Sequence, residues 1–208
     1  MKAPIVCLTL SLLFTPFAVA ADAAAGEKLF AATCVACHGA KAEGNPALKA
    51  PALAGQQADY LQRQLAQFRG GQRGAKAGDA GGAQMAPMAK SLADDAAVAD
   101  VAAYLASLPL PQVAASVEGD AAQGSKLYQS KCGACHGGQG EGNPAFSAPR
   151  LTAVGDAYLK TQVEHFRSGL RGYDAADRFG KQMKLMAGTV NEDELVDILA
   201  HLNSLSAK

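Results

Sequence analysis

The chain has 208 residues, with 19 basic side chains against 19 acidic, and it contains no Trp, 5 Tyr and 7 Phe. A balanced charge excludes a nucleic-acid binder, which would carry a basic stripe. So few aromatic side chains leave thin cores, which a bound apolar group would have to fill.

The first predicted element is an export signal. Met1-Lys2 is followed by an apolar run from Ile5 to Phe17 and then by the small-x-small ending Ala18-Val19-Ala20. Residues 1–20 therefore read as a secretory signal cleaved after Ala20. The apolar run is shorter than the ~20 residues needed to span a bilayer, so the mature chain is expected in the periplasm. Loss of this segment removes Cys7 and Lys2, leaving 18 basic residues against 19 acidic and four cysteines. All four lie in one motif written twice.

That motif is Cys34-Val35-Ala36-Cys37-His38, repeated as Cys132-Gly133-Ala134-Cys135-His136. Two thiols three positions apart can add to the two vinyl groups of one haem, and the adjacent His can ligate its iron. Two covalently attached c-type haems are the expected cofactors, with Cys34, Cys37, Cys132 and Cys135 binding them and His38 and His136 as iron ligands. A zinc site or a thioredoxin-like dithiol also uses Cys-x-x-Cys. Neither explains why His follows both copies, and the strand-helix alternation of a thioredoxin is missing.

Cys132 follows Cys34 by 98 residues, and the same offset superposes much more. Glu43-Gly44-Asn45-Pro46 falls on Glu141-Gly142-Asn143-Pro144, Tyr60-Leu61 on Tyr158-Leu159, and Phe68-Arg69 with Arg73-Gly74 on Phe166-Arg167 with Arg171-Gly172. This is a duplicated domain. The expected division is residues 21–108, a proline-bearing linker at 109–119, and residues 120–208.

Each copy predicts about three main helices around its haem, in an all-α fold. The first, ending near the haem motif, sets Gly26 one turn from Phe30 and Gly124 one turn from Tyr128, a pattern that lets another helix cross closely. The second runs through Tyr60, Leu61, Gln64, Leu65 and Phe68, and the third through Val98, Val101, Leu105 and their twins, both with one apolar face. Asn191 and Glu194 form a capping pair for the last helix.

After loss of Met1 only Met85, Met88, Met183 and Met186 remain, two pairs 98 residues apart. Each pair is expected in a Gly- and Ala-containing loop before the last helix, where a thioether can cover the haem face opposite the His. Spacing alone does not separate Met85 from Met88. His165 and His201 lack counterparts in the first copy, where Gln67 and Tyr104 stand, and are expected on helix surfaces. Pro51 and Pro149 are candidates to position a carbonyl for the ligating imidazole. Arg69, Arg73, Arg167 and Arg171 are candidates to pair with haem propionates, or else solvated helix ends.

On these motifs, together with Pro51-Ala52-Leu53-Ala54-Gly55-Gln56 and Gln84-Met85, the chain resembles the dihaem cytochrome c4 family over nearly its whole mature length. The resemblance implies two class I cytochrome c folds about a pseudo-twofold axis. It also implies an axial Met seven residues before the first apolar residue of the last helix, which selects Met85 and Met183 as the metal ligands. Ala153-Val154 in place of Gly55-Gln56, and Val190-Asn191 where the family has Leu-Ser, depart from the pattern and are expected to adjust packing. By the same analogy the chain is a monomeric electron carrier, not an enzyme, passing electrons from a quinol-oxidising complex toward a terminal oxidase. Peripheral membrane association after export stays open. The competing readings are a cytochrome subunit of a periplasmic dehydrogenase and a dihaem peroxidase, the latter disfavoured because peroxide chemistry needs an open iron position.

Overall fold

The computed structural model describes residues 20–206, so the export-signal reading falls outside them apart from Ala20. The N-terminal half contains α1 (Ala23–Thr33), α2 (Val35–His38), α3 (Ala58–Gly70), α4 (Ala80–Lys90) and α5 (Asp95–Ser107). The C-terminal half repeats the series as α6 (Ala121–Lys131), α7 (Gly133–His136), α8 (Asp156–Ser168), α9 (Arg178–Ala187) and α10 (Glu192–Ser206). Among the described residues there is no strand, only the isolated bridges Asn45 to Ala50 and Asn143 to Ala148. The fold is all-α and duplicated, as expected.

Helix starts follow from acidic caps. Asp22 accepts from the amides of Ala24 and Ala25, and Asp120 does the same for Ala122 and Gln123. At α10, Asn191 Oδ1 accepts from Glu194 N at 2.9 Å while Glu194 Oε2 accepts from Asn191 N at 3.0 Å, the reciprocal box read from the sequence. One expectation is corrected. The methionine pairs lie not in loops but on α4 and α9, which makes four substantial helices per half rather than three. Their glycines lower helix propensity and hide them in the sequence. The buried carboxylates of Asp79 and Asp177 offset this by capping Gly82 N and Gly180 N, each at 2.8 Å.

The two cores form where the first and last helices of each half cross. A Cβ on Gly26 would stand 2.0 Å from Asp100 O, and one on Gly124 would stand 1.9 Å from Asp197 O, so only glycine permits these contacts. Phe30 packs with Leu61, Leu92, Val98, Val101 and Leu105, and Tyr128 with Leu195, Ile198, Leu199 and Leu202. Between α5 and α6 the chain is extended, in keeping with its prolines. Asp156 pins it, accepting from Ser116 N at 2.7 Å, Val117 N at 3.0 Å and Asn203 Nδ2 at 2.8 Å. Burial acts to raise the pKa of that carboxyl, but these hydrogen bonds win and hold it below its usual value. Among the described residues no helix is long and apolar enough to cross a membrane.

Candidate functional site

Each Cys-x-x-Cys-His motif continues the first helix of its half through a tight turn. Cys34 N donates to Phe30 O at 2.8 Å and His38 N to Cys34 O at 3.0 Å; Cys132 and His136 repeat this at 2.8 and 3.0 Å. The chain then reverses at Gly39 and Gly137, with φ of 81° and 84°. Gly44 N donates to His38 O at 2.8 Å, Gly142 N to His136 O at 2.7 Å, and the Asn45–Ala50 and Asn143–Ala148 bridges close the loop. This gives the repeated Glu-Gly-Asn-Pro a purpose that its recurrence in the sequence does not reveal. The loop delivers Pro51 O to 2.9 Å from His38 Nδ1 and Pro149 O to 2.9 Å from His136 Nδ1.

A carbonyl can only accept, so Nδ1 carries the proton and Nε2 keeps its lone pair in both rings. Burial pushes the pKa of His38 and His136 below the ordinary value, though each carbonyl opposes the shift. Both imidazoles are therefore held neutral, the form that binds a metal. Burial, with a smaller push from Cys37, raises the Cys34 thiol to about 11, and burial likewise raises Cys132 to about 11. That is opposite to the activated thiolate of a redox dithiol. Among the described residues no three His, Cys, Asp or Glu side chains form a chelating set, so the two pairs do not converge as a zinc site would require. Met85 and Met183 are half-buried, whereas Met88 and Met186 are 41% and 39% exposed.

The cytochrome c family model matches residues 23–109 and again 121–206. Over 195 residues the chain is 35% identical to cytochrome c4 of Thiocapsa roseopersicina, covering 89% of this chain and 93% of that one. The chain belongs to the cytochrome c4 family. It is also 32% identical over 206 residues to a thiosulfate dehydrogenase electron acceptor of Stutzerimonas stutzeri (strain A1501), covering 90% and 89% of the two chains. The crystal structure of reduced recombinant cytochrome c4 from Pseudomonas stutzeri shares its fold with a TM-score of 0.70 at 30% identity, covering 88% of this chain and 98% of that one. As a cytochrome c4, the chain carries two covalently attached c-type haems, and its role is electron transfer.

The buried arginines of this cytochrome c4 fit such a cofactor. Arg73 and Arg171, one from each half, are both 7% exposed and meet where the halves touch. Gln64 Oε1 accepts from Arg73 at 2.7 Å and from Arg171 at 2.9 Å; Gln162 Oε1 accepts from the same two at 2.9 and 2.8 Å; Tyr158 Oη accepts from Arg73 at 2.8 Å. Each guanidinium lies over a Phe ring, Arg73 at 4.4 Å from the Phe68 centroid and Arg171 at 4.3 Å from Phe166. Every hydrogen-bonding partner is neutral, and Arg73 Nε is buried without one. Burial and the neighbouring Arg73 pull the Arg171 pKa down; burial acts the same way on Arg73, but the Tyr158 and Tyr60 phenols and the Asp79 carboxylate outweigh it and hold that group above its ordinary value. A cofactor with ionised carboxylates would suit this pair of cations.

Arg69 and Arg167 serve differently. Arg69 pairs with Asp95 at 2.7 Å, and Arg167 donates to Ala187 O at 2.9 Å and to the carbonyls of Val190 and Asn191. Both tie the second long helix of their half to the start of the last. The expectation for the two unmatched histidines is corrected for His201, which is buried, and in part for His165, which is half-buried. His201 is buried with its ring 5.6 Å from that of Tyr128, where the first half sets Tyr104 at 5.6 Å from Phe30. His165 turns toward the other half, its Nδ1 3.6 Å from Asp79 Oδ1. Of the departures at Ala153-Val154, Val154 and its counterpart Gln56 also lie at this contact. The Gln56 amide pairs with the backbone of Arg150 in both directions at 3.0 Å, and Ala52 N donates to Val154 O at 3.3 Å.

Proposed function

We propose that this cytochrome c4 is a periplasmic shuttle, accepting electrons from a quinol-oxidising complex and passing them toward a terminal oxidase, with no substrate bond made or broken. Cys34, Cys37, His38 and Met85 serve one haem in residues 21–108, and Cys132, Cys135, His136 and Met183 the other in residues 120–208, with 109–119 as linker. Haem bound this way supplies one-electron chemistry at iron, and a thioether ligand favours the reduced state. The chain's own part is to hold both imidazoles neutral with Nε2 free; Met85 on α4 and Met183 on α9 would supply the thioethers, and Arg73 and Arg171 would neutralise propionates. Periplasmic placement rests on the signal-like residues 1–20.

The observation that carries this reading is the duplicated histidine-to-proline-carbonyl geometry, with one half-buried Met per half. A carrier needs closed coordination at both irons, whereas a peroxidase needs one open. A second reading, that the donor is a dehydrogenase rather than a quinol-oxidising complex, is favoured by the similarity to a thiosulfate dehydrogenase electron acceptor. The test is an optical titration of the exported protein with a pyridine haemochrome count. Two low-spin haems per chain, a weak far-red thioether band and no response to carbon monoxide are expected. A high-spin or carbon-monoxide-binding haem would bring the enzyme reading forward. Thiosulfate-dependent reduction by an added thiosulfate dehydrogenase would decide for the second donor.

A further inference from the structure

The duplication leaves one pair of corresponding surfaces chemically unlike. On α9 the exposed residues Arg178, Lys181, Lys184 and Leu185 stand where α4 has Ala80, Ala83, Ala86 and Pro87. Arg178, Lys181 and Leu185 are spaced to share one helix face, with Lys184 beside them. Leu185 is 75% exposed, the highest value among the exposed large apolar side chains, and Met186 next to it is 39% exposed. None of the three cations forms an ion pair among the described residues. The acids preceding the helix are engaged elsewhere: Asp177 caps Gly180 N, and Asp174 Oδ1 accepts from Ala176 N at 2.8 Å.

Net charge does not explain this. Residues 21–108 carry eight basic and eight acidic side chains, and residues 109–208 carry ten and eleven. The two halves are nearly neutral overall, so the difference is local to the helix that also bears Met183. From these observations we infer that the α9 face of the C-terminal half is a docking surface for a redox protein whose own face is acidic with a small apolar centre. The α4 face of the N-terminal half is not its equivalent.

Three unpaired cations around one protruding Leu match such a partner in charge and form the rim and centre of a small transient interface. An anionic membrane surface would suit the charge but not the apolar area. An interfacial helix needs a broad apolar face, and here Phe179 is covered by the Arg63 guanidinium at 4.8 Å, leaving Leu185 and Met186. Docking on α9 brings the partner to the element carrying Met183, so the inference rests on the ligand assignment proposed above. In the transfer one electron leaves ferrous iron, which becomes ferric, and one acceptor metal ion is reduced; no proton or bond moves.

The test is stopped-flow oxidation of the reduced holoprotein by an acidic cupredoxin, whose Cu(II) becomes Cu(I), at several salt concentrations. The K181E/K184E double variant is expected to lower the second-order rate constant about tenfold at low salt and to abolish its decline with added salt. K28E/K41E, a matched charge reversal on exposed residues of the N-terminal half, should leave the rate within twofold. Unchanged reduced spectra and midpoint potentials in both variants show that the haem sites are intact. Equal rates for wild type and K181E/K184E, or an equal loss in K28E/K41E, would overturn the inference. So would wild type sedimenting with phosphatidylglycerol vesicles in an α9-dependent way while cupredoxin rates stay unchanged, since the face would then bind membrane. A wild-type protein lacking two low-spin haems would instead overturn the carrier reading, so the two failures are distinct.

Discussion

The two halves agree almost atom for atom around the ligating histidines and diverge where they face each other. Tight turn, left-handed glycine, asparagine bridge and proline carbonyl recur with distances that differ by no more than about 0.1 Å. At the contact between halves the corresponding positions differ: Val154 stands where the first half has Gln56, His165 where it has Gln67, and Phe179 where it has Gly81. The reason is geometric. A loop that must aim a carbonyl at a buried imidazole has few solutions, so both copies share one. A surface packed against a non-identical neighbour has no such constraint, and Gln56 is useful only because Arg150 lies opposite it.

Substitutions in corresponding positions can break or sharpen this comparison. Gly26→Ala and Gly124→Ala should have the largest and most equal effects, each costing about 3 kcal/mol by forcing a methyl into the crossing helix. Calorimetry resolving the two halves checks this, and a loss confined to one variant would break the symmetry of the crossings. Gln56→Ala should cost about 2 kcal/mol, because the Arg150 amide and carbonyl lose their partner at the contact. Val154→Ala should cost less than half of that by the same denaturation assay.

The buried aromatic pairs differ in their response to pH. Burial lowers the His201 pKa from 6.5, so the unfolded chain binds more protons between 6.5 and the folded value. Stability of the C-terminal half should therefore be full above pH 6.5 and decline as pH falls below it. His201→Tyr, which installs the residue found at Tyr104, should flatten that dependence in a thermal melt at several pH values. The smallest effect is expected at Ala153, whose φ of 62° is left-handed where the first half has Gly55 at 69°. Ala153→Gly should stabilise by about 0.5–1 kcal/mol, measured by urea denaturation.

Both haem motifs, the duplication, the α10 capping box and the glycine crossings are legible in the order of the residues, because each is a local pattern with one physical solution. Pro51 and Pro149 are legible only as candidates, since nothing in the spacing says which way a carbonyl points. The helical state of Met85 and Met183 is not legible. The glycines of α4 and α9 read as loop, and the side chains that stabilise those helices, Asp79 and Asp177, act only once the backbone has turned. His201 reads as a surface residue because its partner, Tyr128, is 73 positions away.

By itself the sequence determined the covalent chemistry, the number of cofactors and the all-α class, because Cys-x-x-Cys-His and a 98-residue repeat carry that information in local order. Tertiary structure alone decided that Arg73 and Arg171 share a buried space, that Arg69 and Arg167 do not join them, and that His165 faces Asp79. Those are contacts between residues tens of positions apart, and they exist only because two near-copies of one domain pack against each other. A guanidinium reads the same in a sequence whether water or another guanidinium surrounds it.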